Sequence, residues 1–379
     1  MATIVQKYGG SSVAGVDKIQ AVAAKVAQTR REGNDVVVVV SAMGKTTDEL
    51  LALAHQIDDN PPRRELDMLL STGERISMAL LSMAIQKHGC DAISFTGSQS
   101  GIITNDRHFD ARIIDVRPHR VEDELARGRV VIIAGFQGMS YKREITTLGR
   151  GGSDTTALAM AAALDAEYAD IYSDVDGIYS ADPRKVTGAR HIPEIGYDEM
   201  QAMAVSGARV LHHKAVEFAR DAKITIRARS TYSDERETLV REGSRTAGAV
   251  VSDASVALIE LADAAPTREL LEELSSLGVT PNDVEFRGST ATFTLSTSDF
   301  PDWPEARARL VAKRDASIHE GLGAVSYVAG DARLHASAFL DSLGRLPSHL
   351  RLGRLCLTAL VPTESLDEVT QRAHDALVG

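Results

Sequence analysis

The chain is short of the residues that mark several whole classes of protein. Its 379 residues include only two cysteines, Cys90 and Cys356. At most one disulfide could form, which fits a reducing compartment and excludes a disulfide-stapled secreted framework. Positive charge is also in deficit, with 42 Lys and Arg against 53 Asp and Glu, a net charge of −11 and a pI near 5.5. A net anion is repelled by nucleic acid and by anionic lipid, so neither is an expected partner, and any phosphate binding must come from a local site. No uninterrupted apolar run approaches the ~18 residues of a membrane span. The first residues, Met1 to Lys7, lack the basic-then-apolar order of a signal peptide. The expected location is cytoplasmic. Two nucleotide signatures are missing as well: there is no G-x-x-x-x-G-K-[ST] loop and no G-x-G-x-x-G after a strand.

What is present reads as an ordinary folded chain, 44% apolar and 25% charged, long enough for two or three domains. Short apolar runs alternate with amphipathic stretches up to about residue 230. Strands are expected over 2–6, 36–40, 92–96, 130–134, 169–173 and 224–229. Helices are expected from Val16 to a stop at Gly33, and over 48–57, 64–88, 155–164, 198–205 and 208–221. The valine run at 36–40 implies a strand covered on both faces. Such alternation predicts an α/β fold with a mainly parallel sheet flanked by helices, and ligands gather beyond the carboxyl ends of its strands. After Ser233 the composition shifts. The charged, glycine-containing stretch 234–248 suits a linker, and two similar sets of elements follow, at 256–296 and 324–378. The expected domains are 1–235, a linker over 236–250, and two small α+β modules over 251–379.

The residues that follow the strands carry the chemistry. Lys7-Tyr8-Gly9-Gly10-Ser11-Ser12-Val13 enters the first helix with two glycines that admit close backbone approach and a lysine that adds a point charge. An ordinary turn with an exposed lysine is the equal alternative. Ser41-Ala42-Met43-Gly44-Lys45-Thr46-Thr47 repeats the arrangement, although Thr46 or Thr47 could simply cap a helix. Ser71-Thr72-Gly73 interrupts a helical pattern and presents Glu74, whose carboxylate could receive a substrate ammonium. Gly149-Arg150-Gly151-Gly152-Ser153-Asp154 is the most informative stretch. Its glycines expose backbone N–H groups, Arg150 suits bidentate capture of a carboxylate, and Asp154 can meet a cation. Ser173-Asp174-Val175-Asp176-Gly177 through Tyr179 and Arg184 could border a nucleotide. His212-His213 is a poor metal pair, since neighbours on a helix point about 100° apart.

Taken in order, these motifs resemble those of the aspartate kinases within the amino-acid kinase family, from residue 1 to about 240. The resemblance implies the amino-acid kinase fold, with ATP and Mg²⁺ used to phosphorylate the side-chain carboxylate of L-aspartate. It places Lys7 on the transferring phosphate, with Asp154 orienting Lys7 or the metal shell. It puts Gly9, Gly10, Ser11, Ser41, Ser173, Asp174, Tyr179, Arg184 and Arg209 around ATP. It puts Thr47, Glu74, Arg150, Gly151, Gly152 and Ser153 around aspartate. Arg209 stands where the family commonly has a lysine, and His213-Lys214 replaces a frequent Pro-Arg.

The same resemblance makes the C-terminal third two ACT-like modules, through which chains of this family pair, so a homodimer or higher homo-oligomer is expected. Here Asp263-Ala264-Ala265-Pro266-Thr267 stands where the family has a Pro-Gly turn, and Thr267 does not take positive φ as glycine does. Feedback inhibition by lysine and threonine is therefore expected to be weak or lost.

Overall fold

A computed structural model describes residues 2–243, 248–264, 267–276, 281–297, 303, 307–308, 311 and 316–379. The chain forms two compact units. One comprises Met1–Ile178, Ile192–Gln201 and Val210–Ser244; the other comprises Tyr179–His191, Ala202–Arg209 and Arg245–Gly379.

In the first unit the chain runs β1 (Thr3–Tyr8), α1 (Val16–Arg31), β2 (Asp35–Val40), α2 (Thr46–Ile57), α3 (Arg63–Leu70), α4 (Thr72–Lys87) and β3 (Ala92–Phe95). Then come β4 (Ile102–Thr104), β5 (Ile113–Val116), α5 (His119–Ala126), β6 (Val130–Ala134), β7 (Gln137–Ser140), β8 (Ile145–Thr147), α6 (Gly152–Ala163) and β9 (Tyr168–Ser173). Two-residue strands β10 (Ile178–Tyr179) and β11 (His191–Ile192) flank an excursion into the second unit. Strand β12 (Glu194–Ile195), helices α7 (Tyr197–Val205) and α8 (His213–Ala222), and strands β13 (Thr225–Ser230) and β14 (Glu237–Val240) complete the run.

Eight strands form one sheet in the order β12-β14-β13-β9-β1-β2-β6-β3, parallel except where β14 runs against β13. The valines of β2 are fully buried, as a strand covered on both faces requires. Ile19, Val22, Ala23 and Val26 of α1 join Leu81, Ala84 and Ile85 of α4 in one core with Val36, Val38 and Val40. Helix α6 is buried nearly all round. The stretch 63–87 is apolar enough to resemble a membrane span, but Ser71 breaks it into α3 and α4, whose Leu66, Leu70, Leu81 and Ile85 are buried. A smaller sheet, β5-β4-β7-β8, was not foreseen, because its strands are only three or four residues long.

Two expectations need correcting. The linker placed at 236–250 contains β14, whose Thr238 and Val240 are buried; residues 244–247 of it lie outside the described set. Four residues with two alternating inward side chains leave too faint a signal among charges to read as a strand. The helix expected over 208–221 starts only at His213, because His212 is its N-cap, accepting the Lys214 N–H on its ring.

In the second unit β15 (Ala249–Leu261), α9 (Thr267–Ser276), β16 (Asn282–Arg287), β17 (Thr290–Ser296), β18 (Ala316–Val328), β19 (His349–Leu352) and β20 (Cys356–Pro362) are followed by a helix at Leu366–Leu377; another helix, Ala336–Leu343, precedes β19. The antiparallel sheet order β16-β17-β15-β18-β20-β19 repeats itself about its centre, in line with the duplicated pattern of the sequence. The halves share the 13-residue strands β15 and β18 rather than closing separately. Irregular register between Asp253 and Leu258 bends these strands, and Arg351 on one edge strand reaches Asp283 on the other at 2.6 Å. Ala265, Pro266 and Leu277 of the expected loop and helix lie outside the described residues.

Asp170 on β9, 1% exposed, takes two hydrogen bonds from Arg227 on β13, at 2.6 and 2.9 Å. Asp170→Asn leaves that guanidinium without its counter-charge. It is expected to cost about 3 kcal/mol, read as a lower urea midpoint at unchanged slope.

Candidate active site

Four neighbouring parallel strands end in step. Tyr8 lies opposite both Val40 and Tyr172, and Val40 lies opposite Ala134. The ladder continues one residue beyond, with Gly9 N–H donating to Tyr172 O, Ser41 N–H to Tyr8 O and Gly135 N–H to Val40 O. The loops after β1, β2, β6 and β9 therefore open along a single edge. Helix α1 begins at Val16, as expected, and Gly10–Val13 form a 3-10 turn between it and β1. Gly10 O accepts the Gly44 N–H at 3.0 Å. A Cβ on Gly10 would lie 2.9 Å from Ala42 O, so glycine is what lets the first two loops touch through their backbones.

Lys7 Nζ stands 2.6 Å from Asp154 Oδ1, both side chains being largely buried. Helix α6 begins at Gly152, three residues before the expected 155, which puts Ser153 and Asp154 in its first turn. An anion there is favoured by the N-terminal dipole. Gly151, at φ +71°, precedes the helix with the His212 ring packed so closely that a Cβ would collide with it. Ser153 Oγ lies beneath Gly135, where a Cβ would come within 2.7 Å of it. Phe136, itself at φ +65°, underlies Gly152.

The break at Ser71 places Gly73 against Ala42, so the first turn of α4 rests on the loop after β2. Glu74 Oε1 accepts the Ala42 N–H at 3.0 Å, while Oε2 is buried with no hydrogen-bond partner. The residue is 3% exposed. Burial pushes its carboxyl pKa up to about 7, and the amide contacts only partly oppose this. A carboxylate in that state lacks a cation, and an ammonium supplies both charge and donors.

The other expected residues fall into two groups. Thr47 is half-buried in the first turn of α2; neither it nor Thr46 caps the helix, whose N-cap is Lys45, and Thr46 Oγ1 donates instead to Met43 O. Arg150 is exposed and makes no ion pair among the described residues. Ser11 and Asp174 are exposed at the ends of β1 and β9, and Ser173 Oγ accepts the Val175 N–H. Tyr179, Arg184 and Arg209 belong to the second unit. There the Tyr179 ring meets His191 edge-on, Arg184 pairs with Asp182 at 2.9 Å, and Arg209 is exposed.

His212 caps α8 and packs against Gly151. No cluster of three potential ligands occurs among the described residues, and burial pushes the His212 pKa down to about 3. Sequence reasoning missed Asp67, His108 and Asp110 and gave Thr147 and Lys214 no role of their own; these polar residues, spread over the chain, converge around the 149–152 loop. It also missed the Thr231 hydroxyl, 2.6 Å from Ser12 Oγ, and the Tyr232 hydroxyl that donates to Ser11 O.

The family model described as the amino acid kinase family matches residues 2–230. An aspartokinase from Mycolicibacterium smegmatis is 42% identical over 404 aligned residues, covering 99% of this chain and 96% of that protein. One from Mycobacterium tuberculosis (strain H37Rv) is 58% identical over 241 residues, covering 63% of this chain and 57% of its own. Among solved structures, Escherichia coli aspartokinase III with aspartate and ADP superposes with a TM-score of 0.84 at 24% identity, covering 99% of this chain and all of that one. The same enzyme with lysine and aspartate gives 0.76 at 26%, covering 99% of each chain.

The Glu74 carboxyl has a stability consequence of defined sign. Its folded pKa, about 7, lies above the ordinary 4.5. As pH rises from 4.5 to 7 the unfolded chain releases this proton while the folded chain keeps it, so stability falls, by about 3 kcal/mol in all. Glu74→Gln should therefore gain on the unliganded wild type up to pH 7 in urea titrations, and the gain should vanish below pH 4.5. A gap that does not change with pH would mean an ordinary carboxyl.

Proposed function

The chain belongs to the amino acid kinase family and is an aspartate kinase; on that footing we propose that it transfers the γ-phosphoryl group of ATP to the side-chain carboxylate of L-aspartate, giving 4-phospho-L-aspartate and ADP. The observation that carries the substrate assignment is Glu74, a buried carboxylate with one oxygen unpartnered, on the sheet edge that also holds Lys7 and the Gly10 turn.

Glu74 receives the substrate ammonium, and Arg150 takes a carboxylate in bidentate fashion. Thr47, Gly151, Gly152 and Ser153 line the same pocket. An oxygen of the substrate β-carboxylate attacks the γ-phosphorus as the bond to the bridging oxygen of ADP breaks. The nucleophile is already ionised at neutral pH, with an ordinary pKa of ~3.9, so no proton need be abstracted. The barrier is the approach of one anion to another. Lys7 offsets it, together with amides at Gly10 and Ser11, and Gly9, whose own N–H is held by Tyr172 O, and Ser41 lie beside them. Asp154 holds the Lys7 ammonium at 2.6 Å and is assigned to orientation rather than to base catalysis. Ser173, Asp174, Tyr179, Arg184 and Arg209 are the nucleotide-contacting candidates.

Mg²⁺ fits this donor set in one way only. The described residues offer no cluster of three carboxylate, histidine or cysteine ligands, and Mg²⁺ in phosphoryl-transfer sites keeps phosphate and water ligands with one or two carboxylates. Asp154 would orient Lys7 or the metal shell, and the ion would neutralise phosphate charge. The kinase domain is assigned from residue 1 through β14 and the ACT-like modules to 251–379, the modules serving assembly of a homodimer or higher oligomer. The departure at Asp263–Thr267 leaves inhibition by lysine and threonine weak.

Coupled ADP release should require L-aspartate, and hydroxylamine should trap the product as a hydroxamate. Succinate, which lacks the ammonium, should not substitute. Lys7→Ala is expected to lower kcat by about 10²–10³; full turnover in that variant would contradict the assignment. The KM for aspartate should rise as pH falls below about 7, where Glu74 becomes protonated, and Glu74→Gln should show a high KM without that rise. Millimolar lysine with threonine should leave the rate nearly unchanged, and abolished activity would refute the feedback reading.

A further inference from the structure

Asp67 is fully buried on α3 and touches none of the groups assigned to substrate. It accepts three hydrogen bonds: from Thr147 Oγ1 at 2.6 Å, from Phe109 N–H at 3.0 Å and from the His108 ring at 2.6 Å. Phe109 sits at φ +72°, a conformation that bulky residues hold only where their neighbours over-determine it. Asp67 binds both its amide and the preceding side chain. The loop and the end of β8 are joined again by the Ala111 N–H bond to Thr147 O at 2.8 Å.

The next residue along, Asp110, is also buried, and its carboxylate lies so near Gly149 that a Cβ there would be 2.8 Å from Oδ1. The same oxygen holds Lys214 Nζ at 2.7 Å, and the cap of that lysine's helix, His212, packs against Gly151. The loop carrying Arg150 thus lies between two walls, Asp110 and His212. Asp67 fixes the first wall and also the strand end from which the loop departs.

We propose that Asp67, through Thr147 and the His108–Asp110 segment, is a positioning residue that sets the Arg150 loop and so the affinity for the substrate carboxylate. This rests on the reading of Arg150 as the carboxylate-binding residue. Thr147→Val keeps the side-chain shape and removes one donor to Asp67, Thr147→Ser restores it, and Asp67→Asn removes the charge and sets an NH₂ against the His108 ring while its amide oxygen can still accept from Thr147 and Phe109.

The test is steady-state kinetics on the full chain together with amide hydrogen exchange in the absence of substrate. Thr147→Val and Asp67→Asn should each raise the KM for aspartate about tenfold, the size of one lost hydrogen bond to a charged group, with the KM for ATP unmoved. Thr147→Ser should behave as wild type. Exchange should quicken in peptides spanning 105–111 and 148–154. If Asp67→Asn fails to fold, the Val and Ser pair decides alone. An unchanged KM for aspartate, an equal rise in both KM values, or a Ser variant no better than Val would overturn the proposal. A wild type inert toward aspartate would instead overturn the function, and unaltered exchange would then sink the positioning role independently.

Discussion

A carboxylate that is 3% exposed and hydrogen-bonded through only one oxygen is an expensive thing to build into a protein core. Glu74 is held in that state by everything around it: the helix break at Ser71, the close packing of Gly73 on Ala42, and the Ala42 amide that fixes one oxygen and turns the other inward. Without a cation the group prefers its proton; with one, the charge is restored and the cost becomes binding selectivity. In the proposed reading, selection of an amino acid over a plain dicarboxylate follows from that imbalance.

The rest of the site answers a second electrostatic problem, two anions that must meet. The strands β9, β1, β2 and β6 end in register, so the cationic Lys7, the amides of the Gly10 turn and the first turn of α6 share one edge. Asp154 restrains Lys7 without removing it from that edge. Glycines at 10 and 151 are needed because backbone or ring atoms occupy the space a side chain would take. In the proposed reading, substrate recognition and phosphoryl transfer draw on the same stacked loops, and hydrogen bonds from Asp67 to His108 and Thr147 and from Lys214 to Asp110 brace the segment that meets Gly149.

Much of this was legible in the sequence. The polyvaline run read as a strand covered on both faces and is one, while the Ser-Thr-Gly break before Glu74 and the glycine cluster at 149–152 departed from what scaffold alone requires. What escaped notice was of two kinds. Strands such as β4, β8 and β14 are too short for alternation to rise above chance. The supporting residues, Asp67, His108, Asp110 and Lys214, act through contacts between distant parts of the chain, for which local spacing carries no signal. The start of α8 was misjudged for a related reason: His212 caps through its own ring nitrogen, whereas cap preferences favour Ser, Thr, Asp and Asn.

The central claim is that Glu74 is a buried carboxyl without a counter-cation, whose charge a substrate ammonium restores. The most direct measurement is the Glu74 side-chain pKa, from ¹³C chemical shifts of the labelled carboxyl, in the free chain and with saturating L-aspartate. The account predicts a value of about 7 in the free chain, falling by about 1–3 units when the substrate ammonium docks beside it. A free-state value in the ordinary range of 4 to 5, or one that L-aspartate leaves unmoved, would contradict it.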